Sequence, residues 1–417
     1  LTLRPLEPLS CAAAALPAAA AVQLDTPQRA AHAAAGVPRD RQGRGVAAQI
    51  GLARRESPHR GARHLALATS LQREMPRTLA ALVEGRITEW RATLLARETA
   101  CLSRDDRVLV DEILAGDPET LEGLSDRQLV AEAAKLAYHL DPASLVNRRR
   151  SAEGDRRVTG RPAPDTMMRL SALLPVAAGV GVIAALTRQA DALRAAGDPR
   201  TRGQIMADTL VERVTGVTGA IAAAGPVMPV AVGLVVSDTV LLGGAEGPAH
   251  LEGHGPIPAD LARELVHGNL DRGTRVWLRR LYQRPGTEEL VAMDSHARLF
   301  RDGLRHLVRL RDQVCRTPWC DAPIRHADHV EAAEDDGHTS AANAQGLCEA
   351  CNYTKQAPGW HAQPRPGPRH TVETTTPTGH TYVSTAPPLG PQALVDLDWF
   401  RRVVRVRARW ADLVRAA

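Results

Sequence analysis

Before about residue 300, apolar positions recur mostly with a helical period, and the breaks between runs carry start signals. Ser57-Pro58 reads as a cap with proline in the first turn, and Pro76 opens another helix. Ser103, with Asp106 three residues on, starts a run through Val108, Leu109 and Ile113. Ser125 opens the run through Tyr138, and Asp141-Pro142 the next. A long apolar helix is predicted over Val176–Ala196, another over Arg200–Thr215, and a third from Pro258 to about His267.

The period shortens to that of strands in a few places. Arg157–Arg161 and Met167–Leu174 predict a hairpin, as do Arg275–Tyr282 with Leu290–Met293 around Pro285-Gly286. Val230–Val236 reads as a strand, and His370–Thr375 with His380–Ser384 as a small hairpin around Pro377-Thr378-Gly379. Residues 1–43 are rich in Ala, Pro and Arg without period, which predicts a disordered tail with a helical patch. Near the end, Trp399, Val403, Val406, Trp410 and Leu413 share a stripe ringed by arginines, a helix for docking on a core or partner helix. The expected fold class is mainly α with small β-hairpins.

One stretch breaks this pattern. Cys315-x4-Cys320 and Cys348-x2-Cys351 are two short-spaced thiol pairs around a loop, the ligand set of a closed tetrahedral structural zinc site. Two disulfides are the alternative, and they need an oxidising compartment. Against them, the other thiols, Cys11 and Cys101, lie far away in a chain unlike a small disulfide scaffold. Between the pairs, Ile324–Val330 passes as a strand ending near Asp328-His329. Asp335-Asp336-Gly337 turns the chain toward Asn343, and Cys348–Lys355 reads as a short helix. Strand, loop, strand and helix on a zinc platform is a ββα-metal arrangement.

With D-H, N and C-x2-C-N-x2-K in order between the thiol pairs, this segment resembles the HNH endonuclease family, in its four-cysteine zinc subgroup. The resemblance implies that His329 is a general base, that Asp328 and Asn352 hold one divalent ion such as Mg²⁺, and that Asn343 pins the loop. Asn352 stands where many members carry histidine, making this an H-N-N variant and leaving the metal preference open. The chemistry suits the residue types: histidine titrates near neutrality, hard oxygen donors suit Mg²⁺, and thiolates select zinc. The upstream region also resembles a family. RPAPDTM (161–167), GDPRTRGQIMADTLVERVTG (197–216) and GPAHLEGHGPIPADLARELV (247–266) look like the helical domain of unknown function, called the thirteen-E-twelve repeat family, that precedes HNH nucleases. By eye that likeness covers about residues 45–300, and it implies no catalytic residue.

Composition adds little beyond this. With 417 residues there is room for two or three domains, and a formal charge of +5 is compatible with a nucleic-acid partner without requiring one. Arg298, Arg301, Arg305 and Arg309 fall three and four apart, a basic stripe that suits phosphate or simply a solvated face. Only two lysines occur, Lys135 and Lys355. Lys355 on the site helix is either a compact charge near phosphate or an ordinary surface residue. Leu at position 1 suggests a fragment or a non-standard start. The Ala-rich run at 8–23 is only faintly like a secretory signal, and the uncharged 214–237 is broken by Gly225, Pro226, Pro229 and Gly233. No membrane association and a cytoplasmic location are therefore expected.

The expected domains are a tail (1–43), a helical domain (44–297), the ββα-metal nuclease domain (298–362) and a hairpin with a basic amphipathic helix (363–417). The expected function is hydrolysis of DNA phosphodiester bonds, RNA not being excluded, with structural Zn²⁺ and catalytic Mg²⁺ or another divalent cation. The alternatives are a non-catalytic zinc-dependent nucleic-acid-binding protein and an assembly scaffold.

Overall fold

The structure, a computed structural model, describes residues 6–216, 233–271, 281–284, 289–293, 300–332, 337 and 339–389. The described residues are mainly helical with small antiparallel sheets. Among the described residues nine α-helices come first: α1 (Leu6–Ala34), α2 (Val46–Ala53), α3 (Pro58–Glu74), α4 (Pro76–Val83), α5 (Glu89–Glu98), α6 (Arg104–Ala115), α7 (Pro118–Gly123), α8 (Asp126–Leu140) and α9 (Pro142–Gly154).

The start signals work as local chemistry. Ser57, Ser103 and Ser125 each accept a backbone N–H from the third residue on, and Ser125 forms a full capping box with Gln128. Helix α4, begun by Pro76, has no capping side chain of its own. Asp111 of α6 supplies one: its carboxylate accepts from Arg77 N (2.7 Å) and Thr78 N (2.9 Å). Burial pushes the Asp111 pKa up while those hydrogen bonds oppose the rise. Leu71, Met75, Leu82, Leu95, Val110, Leu121 and Leu129 form the core these helices share.

Contrary to the expected tail, α1 is a continuous helix. Cys11 and Ala15 enter the main core, and Ala21 packs with Val46, Ile50 and Ala68. Alanine and cysteine let α1 lie close against α3 and α4, so its buried face is made of residues with little hydrophobic signal. Pro17 and Pro27 sit inside it, where the sequence reads as broken.

A hairpin follows, β1 (Arg157–Pro162) with β2 (Met168–Leu173), then the helical pair α10 (Val176–Ala195) and α11 (Arg202–Thr215). Next come β3 (Leu234–Val235), α12 (Asp238–Leu241), β4 (Ala249–Leu251), β5 (Gly255–Ile257) and α13 (Ala259–Asp271). The β4–β5 hairpin, unanticipated, joins β3 in a three-stranded sheet. Strands β6 (Leu281–Arg284) and β7 (Glu289–Met293) form the other hairpin, residues 275–280 of its expected first strand lying outside the described residues. Helices α1 and α10 are long and apolar enough to cross a membrane by length and composition alone.

The last described part holds α14 (Phe300–Asp312), β8 (His326–His329), β9 (Ala344–Leu347), α15 (Glu349–Lys355), β10 (His361–Arg365), β11 (Thr371–Thr375) and β12 (Thr381–Thr385). β8 pairs antiparallel with β9, His329 opposite Ala344, and α15 follows directly, giving the expected strand–strand–helix order. β10 adds an unanticipated edge to the β11–β12 hairpin. The stripe ending in Trp410 and Leu413 lies outside the described residues.

This C-terminal unit docks on the helical region. Trp360 and Ala357 pack against Ala48 and Leu52 of α2, and Thr378 donates to Gln49 Oε1 (3.1 Å). Arg44 lies over the Tyr353 ring, 6.0 Å from its centroid.

Candidate metal centre and active-site cleft

Two short chain segments aim the four cysteines at one point. In the first, Trp319 and Asp321 flank Cys320 with positive φ (60° and 49°), and Cys320 N donates to Thr317 O (3.1 Å). In the second, Cys348 caps α15 and its sulfur accepts from Cys351 N (3.4 Å). All four sulfurs lie within 4.8 Å of one another, with Cys320 3.7 Å from Cys348 and 3.6 Å from Cys351.

A tetrahedral ion with sulfurs at about 2.3 Å requires them roughly 3.8 Å apart, whereas a disulfide needs about 2 Å. The observed spacing is that of a metal tetrahedron. The sulfurs also perturb one another: hydrogen bonds from the other three thiols pull Cys348 far down, and the same crowding raises Cys320 and Cys351. Such a donor set suits a structural metal such as zinc. Trp319 packs edge-on against Tyr382 of β12 (6.0 Å, 87°), tying the first cysteine turn to the hairpin sheet.

Beside this centre is a cleft of about 370 Å³ lined by Leu304, Arg305, His326, Asp328, His329 and Thr339, among others. β8 presents Asp328 and His329 consecutively. His329 Nε2 shares a hydrogen bond with Thr339 Oγ1 (2.8 Å), the ring tautomer setting which atom donates. Asn343, nearly buried, clamps the turn after His329: its Oδ1 accepts from Glu331 N (2.9 Å) and its Nδ2 donates to Glu331 O (3.1 Å).

Asn352 and Lys355 come from α15. Asn352 Oδ1 is buried and receives no hydrogen bond from the described residues. The Lys355 ammonium lies 2.5 Å from Asp328 Oδ2, off the direction of a good hydrogen bond, and also donates to His329 O. Lys355 is thus half-buried and turned toward Asp328 and His329. The orphaned Asn352 oxygen and the Asp328 carboxylate are hard donors of the kind a divalent cation takes. Of the basic stripe, Arg305 borders the cleft and donates to Arg325 O (3.4 Å), while Arg309 is half-buried. The side chain of Arg301, and Arg298 altogether, lie outside the described residues.

Sequence reasoning missed the charged residues beneath the cleft. Arg311, Asp312 and Arg316 are each at most 4% exposed. Asp312 accepts from Arg311 Nε (2.7 Å) and Nη2 (3.0 Å) and from Gly346 N (2.7 Å). Arg311 then donates to Ala341 O and Ala344 O (both 2.6 Å), so α14 holds both ends of the Asn343 turn. Arg316 donates to His370 O (3.2 Å) and Ser384 O (2.6 Å), reaching the hairpin sheet. No spacing in the sequence separates these arginines from the exposed ones around them.

The chain belongs to the family described as a domain of unknown function, DUF222, whose pattern matches residues 5–312. The match begins at α1 and ends three residues before Cys315, so it extends the 45–300 likeness at both ends and leaves the four-cysteine segment outside. The uncharacterized protein Rv3776 of Mycobacterium tuberculosis is 27% identical over 385 residues, 81% of this chain and 70% of its own length. The uncharacterized protein Rv2100 of the same organism is 32% identical over 141 residues, 33% of this chain and 23% of its own length. No solved structure matches.

Proposed function

We propose that the protein is an HNH-type endonuclease hydrolysing phosphodiester bonds in DNA, with structural zinc on its four cysteines. The observation that carries this reading is the cleft into which β8 brings Asp328 and His329, with Asn343 clamping the strand end and α15, the helix of Asn352, tied to Asp328 through Lys355. β8, the Asn343 turn and α15 supply these residues, and solvation alone gives no reason to bury Asn352 Oδ1 without a partner among the described residues.

In the proposed reaction His329 takes a proton from water as its oxygen bonds to phosphorus, and the P–O bond to the leaving sugar oxygen breaks. Thr339 orients the imidazole through Nε2, and Asn343 fixes the backbone that carries it. A divalent cation held by Asp328 and Asn352 would supply charge opposite the phosphate oxygens. Arg305, at the rim, is placed for a neighbouring phosphate.

A second reading, a non-catalytic zinc-dependent nucleic-acid binder, is favoured by one contact: the Lys355 ammonium already neutralises Asp328. Plasmid nicking with and without Mg²⁺ or Mn²⁺ separates the two. His329→Ala is expected to cut about 10²–10⁴-fold more slowly, the range of a positioned general base, with zinc content and DNA affinity kept. Wild-type rates in that variant, or no cleavage by the native protein with either ion, would remove the nuclease reading.

A further inference from the structure

The β1–β2 ribbon is exposed along its whole length on both faces. Its register sorts the residues sharply. Val158, Gly160 and Pro162 pair with Ala172, Leu170 and Met168 on one face; Arg157, Thr159 and Arg161 pair with Leu173, Ser171 and Arg169 on the other. The second face therefore carries three guanidinium groups and two hydroxyls.

Arg161 and Arg169 are direct cross-strand partners. Like charges in that position destabilise a ribbon unless something neutralises them. Nothing does so among the described residues: neither arginine makes a hydrogen bond or ion pair there, and Arg157 donates only to Asp155 O (3.2 Å). Asp165, in the turn, pairs with neither. The ribbon is nonetheless held in place, because its turn closes through Ala163 N to Met167 O (2.7 Å) and His254 Nε2 bonds Met167 O (3.2 Å).

We propose that this face is a nucleic-acid-binding surface that seats on duplex DNA, with Arg157, Arg161 and Arg169 on phosphates or base edges. The fit is both electrostatic and steric. A two-stranded ribbon enters a major groove about 12 Å wide, and six residues span about 20 Å of it. Guanidinium and hydroxyl groups are the donors that groove and backbone accept. The inference shares its ligand with the proposed function but does not require hydrolysis.

The test is duplex binding by the full chain, read by fluorescence anisotropy without added divalent cation, across a salt series. In the triple variant Arg157→Ser, Arg161→Ser, Arg169→Ser, affinity should fall about 10–100-fold. The salt slope should drop by about 2.7, near 0.9 for each phosphate that is no longer neutralised. The thermal midpoint should not fall, since these side chains bury nothing and the opposed Arg161–Arg169 pair is removed. Lysine at all three positions should restore most of the slope. Unchanged duplex affinity and slope would overturn the proposal, as would a loss seen only on anionic vesicles or only in self-association. If the native protein never cleaves but the triple variant still loses duplex binding, the nuclease reading falls and this one stands.

Discussion

At the scale of single residues, legibility followed covalent spacing. The placement of Asp328 and His329 on a strand and of Asn343 in the segment that pairs with it could be read, because they stand in order between thiol pairs that converge on one point. The roles of Arg311 and Asp312 could not: the two neutralise each other as neighbours, but the backbone groups they hold belong to a segment 30 or more residues away. Asn352 is the residue that decides most. As a ligand, its oxygen should be replaceable by an imidazole nitrogen, so Asn352→His should bind a softer ion such as Mn²⁺ or Ni²⁺ in preference to Mg²⁺. Asn352→Ala should lose most divalent binding while keeping zinc. Calorimetric titration of each ion into the three proteins reads this without reference to cleavage. Identical binding by the native protein and Asn352→Ala would exclude the ligand role.

Among elements, those begun by a local chemical signal were legible, and those made by a neighbour were not. Serine caps place α3, α6 and α8 correctly because the cap bonds lie within three residues. β10 has only a weak pattern and contains Pro364, which an edge strand tolerates; it is a strand because β11 lies beside it. Just before β11 stands His370, whose Nε2 bonds Ala342 O (2.9 Å). Burial, and then the nearby Arg311 and Arg316, push its pKa down to about 4, against a smaller upward pull from Asp312. The folded state thus favours neutral imidazole. Stability from this group is complete above the ordinary value of 6.5 and is lost as pH falls from there toward about 4, where the unfolded chain binds the extra proton. Denaturant midpoints at pH 7 and pH 5 should therefore differ less in His370→Gln than in the native protein. An equal acid sensitivity in both would place the titrating group elsewhere, the cysteine centre being the first candidate.

For the whole molecule, the family boundary at residue 312 is not a physical boundary. Helix α14 lies inside the family match, yet its last turn holds the Asn343 turn through Arg311 and Asp312. The α2 end also closes on the cysteine unit. Gly45 caps α2 with φ +91°, and a Cβ there would come within 2.4 Å of Trp360 Nε1. The left-handed backbone and the close approach together require glycine. Gly45→Val should therefore lower stability by about 2–4 kcal/mol, combining the left-handed penalty with overpacking. The damage should concentrate where Trp360 meets Ala48 and Leu52. If the two regions support each other, the variant loaded with zinc should also surrender it to a chelator several-fold faster, although no cysteine has been touched. Trp360→Ala, which removes the clash together with the packing, should show the same faster release, and Gly45→Val with Trp360→Ala should be no worse than Trp360→Ala beyond the backbone penalty. Zinc release at the native rate in both single variants would mean that the cysteine centre is stable on its own and that the helical domain only lies against it.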